Sequence, residues 1–177
     1  MCAVEHRSGG AASIPGRETE VGLFDGEGWV WLKQNDATMP IQHWLFKTEP
    51  STYAFEDLVQ KGRDTWDGIT NPLALKHLRS TRAGDLVLIY HTGEARAAVG
   101  IARILGAPYA DPKGKRPALV VVDLEPLRRL SRPVSLQEMK AEPKLKGLAL
   151  LRISRLSVVP VSRDHWSIIL KISGTRS

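Results

Sequence analysis

Residues 84–105 read GDLVLIYHTGEARAAVGIARIL, two apolar runs on either side of a short polar stretch around Gly93. Runs this short, rich in Val and Ile and bounded by Gly and Asp, read as strands rather than helices, and a turn of this length joins them as a pair. The remainder of the chain must therefore pack around a sheet. Working outward, IQHWLFK (41–47) is a third strand, whose alternation sets Trp44 and Phe46 on one face and His43, Leu45 and Lys47 on the other. The Glu49–Pro50 step after it stays extended or turns, because proline disfavours helix in the residue before it. PALVVVDLEPLRRL (117–130) is a buried strand with its continuation, and GLALLRISRLSVVPV (147–161) supplies one or two more.

Helices fall between these strands. FEDLVQKG (55–62) is a short one ended by Gly62. NPLALKHLRSTRAG (71–84) opens with Asn71 as N-cap and Pro72 at the first helical position, and closes near Gly84. Its buried stripe is Ala74, Leu75 and Leu78, and Lys76, Arg79 and Arg82 form a basic outer ridge. SLQEMK (135–140) has Ser135 as cap, and SRDHWSIILKISG (162–174) is a closing helix with Ser162 as cap and Gly174 past its end. Short strands with inserted helices predict a small barrel-like α+β domain over residues 41–174.

Residues 1–40 read as a disordered or loosely ordered extension, rich in Gly, Ser, Ala and charge, with WVWLKQND (29–36) as an apolar island and Met39 as a candidate alternative start. The one cysteine, Cys2, cannot build a disulfide framework or a cysteine-based zinc site, which fits a reducing interior. No secretory signal is visible, and no run approaches the ~18 apolar residues of a membrane span, so a soluble intracellular protein is expected, cytoplasmic in a bacterium and nuclear in a eukaryote. Residues 1–40 hold three basic and six acidic side chains, which leaves the remaining 137 residues with +9 of excess charge against +6 overall. That excess suits a polyanion, since each cation that neutralises a phosphate releases counterions.

Several residues carry two readings. Trp66, in TWDGITNPLALKHLR (65–79), either plugs the edge of the core or offers a base-sized aromatic wall. Asn71 either caps its helix or presents its amide to the edge of a base. Lys47, Thr48 and Glu49, like Tyr90, His91 and Thr92, end a strand in polar side chains that are either solvated or at the mouth of a pocket. KGKR (113–116), helped by Arg128, Arg129 and Arg132, is either a solvated turn or a phosphate grip. HExxH, CxxC, GxGxxG and P-loop patterns are all absent from the sequence, so neither a metal nor a cofactor is expected.

Taken in order, HWLFKTEPSTYAFEDL (43–58), WDGITNPLALKHLR (66–79), GDLVLIYHT (84–92), AVGIARI (98–104), VVVDLEPLRRLSRPVSLQEMK (120–140) and LLRISRLSVVPVSRDHW (150–166) resemble the EVE domain family. The resemblance spans about residues 43–172 and finds no counterpart for residues 1–40. It implies a PUA-like fold, a small β-barrel with surrounding short helices, related to the YTH domains that read methylated adenine in RNA. It further implies a non-catalytic, monomeric module that takes a modified base of DNA or RNA into an aromatic-walled pocket. By that similarity Trp44, Lys47, Thr48, Trp66, Asp67, Gly68, Asn71, Tyr90, His91 and Thr92 line the pocket, and Lys76, Arg79, Lys113, Lys115 and Arg116 hold phosphates. Pro72 and the short Ala107–Pro117 connection depart from the family pattern. Two other functions compete. One is an amidohydrolase like those of the ASCH group, with Lys47, Thr48 and Glu49 as its residues, although consecutive strand positions face opposite ways. The other is a protein-interaction module anchored by Trp29 and Trp31.

Overall fold

The computed structural model describes residues 40–114 and 118–176, and the backbone strands within residues 20–24 and 29–33. It divides into two units, Met1–Met39 and Pro40–Ser177. In the first, β1 (Glu20–Phe24) and β2 (Trp29–Lys33) pair antiparallel with Phe24 opposite Trp29, so the backbone of the WVW island is a strand. The rest of that extension, Met39 included, lies outside the described residues.

The second unit begins with β3 (His43–Thr48), α1 (Phe55–Lys61), β4 (Asp64–Trp66) and α2 (Pro72–Arg79). The strands β5 (Leu86–His91), β6 (Ala97–Ile104), β7 (Tyr109–Ala110) and the long β8 (Val120–Ser135) follow. The chain closes with α3 (Leu136–Ala141), a single 3-10 turn at Pro143–Leu145, α4 (Ala149–Arg152), β9 (Val158–Val161) and α5 (Arg163–Ser173). Seven strands form one sheet in the order β4-β8-β6-β5-β3-β9, with β7 added to β8. Every pairing is antiparallel except β3 with β5, which a crossover through α1, β4 and α2 makes parallel. Bulges in the β6–β8 ladder, between Ala98 and Gly100 and between Ile101 and Ala102, bend the sheet into an open half-barrel. This is the expected PUA-like α+β architecture.

The caps behave as local chemistry dictates. The Asn71 side chain accepts from the Leu73 and Ala74 amides at 2.9 and 3.1 Å, and Ser162 accepts from the His165 amide at 3.2 Å. Ser135 and Glu138 form a reciprocal capping box on α3. Gly62 and Gly174 end α1 and α5 in the left-handed region, at φ 70° and 68°. Ala74, Leu75 and Leu78 are the buried stripe of α2.

Along β3, Trp44, Leu45 and Phe46 are all buried, because the curled sheet is covered on both sides, so both faces that the alternation sets apart are packed. Two expectations need correction. The second helix stops at Arg79, short of Gly84: Thr81 Oγ1 donates back to the Leu78 carbonyl, and the Arg82 amide is drawn to Asp85. In GLALLRISRLSVVPV only Val158–Val161 is a strand, and residues 149–152 form a short helix. A short apolar run satisfies either period.

Candidate nucleic-acid interface

Where β3 ends, the chain turns through Glu49, whose carbonyl accepts from the Thr52 and Tyr53 amides. That turn, β4, the Asp67–Gly68 corner and the start of α2 together border a cavity of about 650 Å³. Trp66 is the last residue of β4, paired with Val122, and only 7% of it is exposed. Its ring lies 5.5 Å from that of Phe46 and meets Tyr53 edge-on at 5.9 Å. The core plug and the cavity wall are therefore one residue, buried in its bulk and bordering the hollow with what remains. Gly68, next along, has φ 75°, a conformation that side chains with a Cβ rarely adopt. It swings the chain from β4 toward Asn71, whose Oδ1 is taken up by the cap of α2.

Charge along the wall is ordered by partners. Tyr53 donates its hydroxyl to Asp64 Oδ2 at 2.7 Å, and Lys61 reaches the same oxygen at 2.6 Å while lying 5.1 Å from the centre of the Tyr53 ring. Burial, reinforced by the bond to Asp64, pushes the Tyr53 hydroxyl above the ordinary tyrosine range. Burial alone would raise Asp64, but hydrogen bonds from Lys61, Tyr53 and the Thr65 amide outweigh it and hold the carboxyl low. Glu49 Oε2 accepts from Thr92 Oγ1 at 2.7 Å, and Lys113 Nζ stands 3.4 Å from Asp67. Lys47 Nζ donates to the Ser154 carbonyl at 2.8 Å, and burial lowers the pKa of its ammonium. Such a wall can grip a planar polar ligand and an anion together.

Of the expected ligand residues, Lys47, Thr48, Trp66, Asp67, Gly68 and Asn71 line the cavity. Four do not: three have their side chains held elsewhere, and Tyr90 is buried. Trp44 points its indole Nε1–H at Asp85 Oδ2, 2.9 Å away in the core. Tyr90 is 3% exposed. His91 accepts from the Phe55 amide through Nε2 at 3.0 Å and is buried under α1. Thr92 stands behind Glu49 and fixes its carboxylate. Glu49 itself borders the cavity with Lys47 and Thr48, contrary to the alternation argument, because it lies beyond the end of β3, where the chain has already turned.

Among the expected phosphate contacts, Lys76 and Arg79 are exposed on α2, with Arg79 also donating to the Ala118 carbonyl, and Lys113 borders the cavity. Lys115 and Arg116 lie outside the described residues. Arg129 and Arg132 instead pair with Glu56 and Glu138, and Arg128 donates to the Arg176 carbonyl. Sequence reading missed Tyr53, Lys61, Asp64, Arg155 and Ser157, all of which line the cavity. An aromatic residue just past a strand end was a usable signal for Tyr53. Nothing local announces Arg155, since the contact that brings its loop to Lys47 spans 107 residues.

Among the described residues no group of three or more His, Cys, Asp or Glu side chains is placed to hold a metal ion, and no helix is long and apolar enough to cross a membrane.

Comparison with known proteins identifies the family and the fold. The EVE domain profile matches residues 42–172. Rat thymocyte nuclear protein 1 is 27% identical, over 73% of this chain and 73% of its own length. A Rhodopseudomonas palustris protein solved by NMR is 38% identical and superposes with a TM-score of 0.72, covering 76% of this chain and 94% of that one. Human thymocyte nuclear protein 1, solved in complex with DNA containing 5-methylcytosine, shares the fold at 24% identity and a TM-score of 0.70, over 77% of this chain and 99% of that one. The family match covers most of the described domain, and the chain belongs to the EVE domain family.

Proposed function

We propose that this chain is a non-catalytic module that takes a modified base of a nucleic acid, DNA in the first instance, into the cavity beside α2. The observation that carries the reading is the cavity itself, about 650 Å³, bordered by two aromatic residues, a helix-capping amide and several cations. That volume falls within the ~300–1,000 Å³ of ordinary small-ligand sites. In this reading the base leaves its stack and lies against Tyr53 and the open edge of Trp66. Asn71 donates through Nδ2, because its Oδ1 serves the helix. The Glu49 and Asp67 carboxylates accept from an exocyclic amine, and Lys76, Arg79 and Lys113 neutralise flanking phosphates. The human relative, solved with DNA containing 5-methylcytosine, supports this choice of ligand and supplies the first probe.

Hydrolysis is the weaker reading. Thr48 Oγ1 donates to the Tyr53 carbonyl at 2.7 Å, so the hydroxyl proton that an ASCH-like reaction would pass to a general base is engaged by the backbone instead.

Titrating the full chain with DNA and RNA oligonucleotides that differ only by one 5-methylcytosine, at two salt concentrations, tests the proposal. Tighter binding of the modified strand, with both affinities falling as salt rises, is expected. Equal affinity for modified and unmodified strands would overturn base reading, and nucleoside turnover detected by mass spectrometry would replace it with catalysis.

A further inference from the structure

One corner of the cavity has no role in that reading. The turn between α4 and β9 is anchored at several points: the Leu156 amide donates to the Ile153 carbonyl at 3.3 Å, Leu156 is 1% exposed, and the Ser157 carbonyl accepts from the Lys47 amide at 2.9 Å. The Lys47 ammonium holds the Ser154 carbonyl between them. Arg155 therefore projects from a backbone fixed at both ends, and it borders the cavity together with Lys47 and Ser157.

Of the acids around the cavity, Asp64 is paired with Lys61 and Asp67 with Lys113, while Glu49 is held by the Thr92 hydroxyl. Among the described residues no carboxylate lies within ion-pair distance of Arg155 or of Lys47. A guanidinium, a half-buried ammonium with one donor engaged, and Ser157 thus border one cavity, with neither cation paired to a carboxylate. A guanidinium matches a phosphate bidentately, and an ammonium withdrawn from water gains most from an anion beside it.

We propose that Arg155, Lys47 and Ser157 form a phosphate subsite inside the cavity, which binds the phosphate attached to the same nucleotide whose base the cavity receives. It rests on the base-reading function and deepens it: the unit recognised is a nucleotide, and its phosphate is gripped separately from the flanking phosphates at Lys76 and Arg79. The shared chemistry is a phosphate ester, either a terminal monoester or an internal diester of a strand.

The test compares 5-methyl-2′-deoxycytidine with its 5′-monophosphate by calorimetry on wild type, Arg155→Ala and Ser157→Ala. A second arm uses an oligonucleotide in which the phosphate on either side of the 5-methylcytosine is replaced by a neutral methylphosphonate. The expected result is a monophosphate at least tenfold tighter than the nucleoside in wild type, a difference that Arg155→Ala removes and Ser157→Ala reduces, with unchanged thermal midpoints. A similar loss with one methylphosphonate would assign the subsite to an internal diester, and a loss in the first arm alone to a terminal monoester. Equal binding of nucleoside and monophosphate by wild type, or a phosphate preference that survives Arg155→Ala, overturns the subsite. A phosphate preference that depends on Arg155, together with no preference for methylated over unmethylated cytosine, would leave the subsite standing and remove the base-reading function. No binding of any of these probes overturns both.

Discussion

The Phe55 ring lies against the backbone of Gly100 so closely that a Cβ on Gly100 would stand 2.3 Å from a ring carbon. This contact seats the start of α1 on β6, between the two bulges of the β6–β8 ladder, and through α1 it fixes the Thr52–Tyr53 segment at the cavity. Gly100→Ala should therefore destabilise the domain by about 1–3 kcal/mol or more, as overpacking does. Denaturant unfolding checks it. Phe55→Leu should restore part of the loss in the double variant, since the two residues touch, and strictly additive effects would refute the contact.

His91 links α1 to pH. Its Nε2 accepts the Phe55 amide, so it must be unprotonated there, and burial lowers its pKa below the ordinary imidazole value, against a smaller opposing pull from Glu56 and Glu49. A depressed basic group leaves the unfolded chain holding the extra proton, so stability rises with pH across the window between the two values. The contribution is complete above about pH 6.5, the unfolded value, and is lost as the pH falls toward the lowered folded value. His43, lowered by burial and by Arg163, acts in the same sense. Thermal midpoints should drop between pH 7.5 and 5, and His91→Gln, which keeps an acceptor but does not titrate, should make the drop shallower. An unaltered slope would show that the bond to Phe55 has no such role.

What sequence reading could reach follows the range of the forces involved. Asn71, Ser135 and Ser162 act on amides two or three residues away, and Gly62 and Gly174 act through their own dihedrals, so these caps and these two helix ends were legible, whereas the end of α2 at Arg79 was not. Residues 149–152 were not, because LALLR carries apolar residues at both helical and strand spacing. Trp44 and His91 were misplaced for a different reason. Each stands beside a pocket-like motif in sequence but is turned by a partner far along the chain, Asp85 for one and the Phe55 amide for the other. Arg155 belongs to the same class, reaching Lys47 only after the sheet has closed the distance.

Trp66 separates stacking from folding poorly. With 7% of its surface exposed and its ring against Phe46, Trp66→Ala should cost about 3–5 kcal/mol of stability, so a loss of binding in that variant alone would be ambiguous. Tyr53 is only partly buried, and Tyr53→Ala removes the more open aromatic face of the cavity. It should weaken binding of the 5-methylcytosine strand by about 1–3 kcal/mol, the worth of one base–aromatic stack. Tyr53→Phe, which loses only the bond to Asp64, should retain most of the affinity. Oligonucleotide titration of both variants reads this, and equal losses would place the role in the hydroxyl rather than the ring.

Asn71 offers a clean division between structure and recognition, because its two amide atoms have different tasks. Oδ1 accepts from the Leu73 and Ala74 amides, and Nδ2 is the atom proposed to donate to the base. Asn71→Ser keeps an N-cap acceptor of similar strength and deletes the amide donor without adding charge. Its unfolding free energy should stay within about 0.5 kcal/mol of wild type, while affinity for the modified strand falls by the roughly 0.5–1.5 kcal/mol of one hydrogen bond. Asn71→Ala, which loses the cap as well, should add about 0.5–2 kcal/mol of destabilisation. If Asn71→Ser binds like wild type while Asn71→Ala is destabilised as expected, the residue is a helix cap and nothing more, and the base edge must be read by the Asp67–Gly68 backbone.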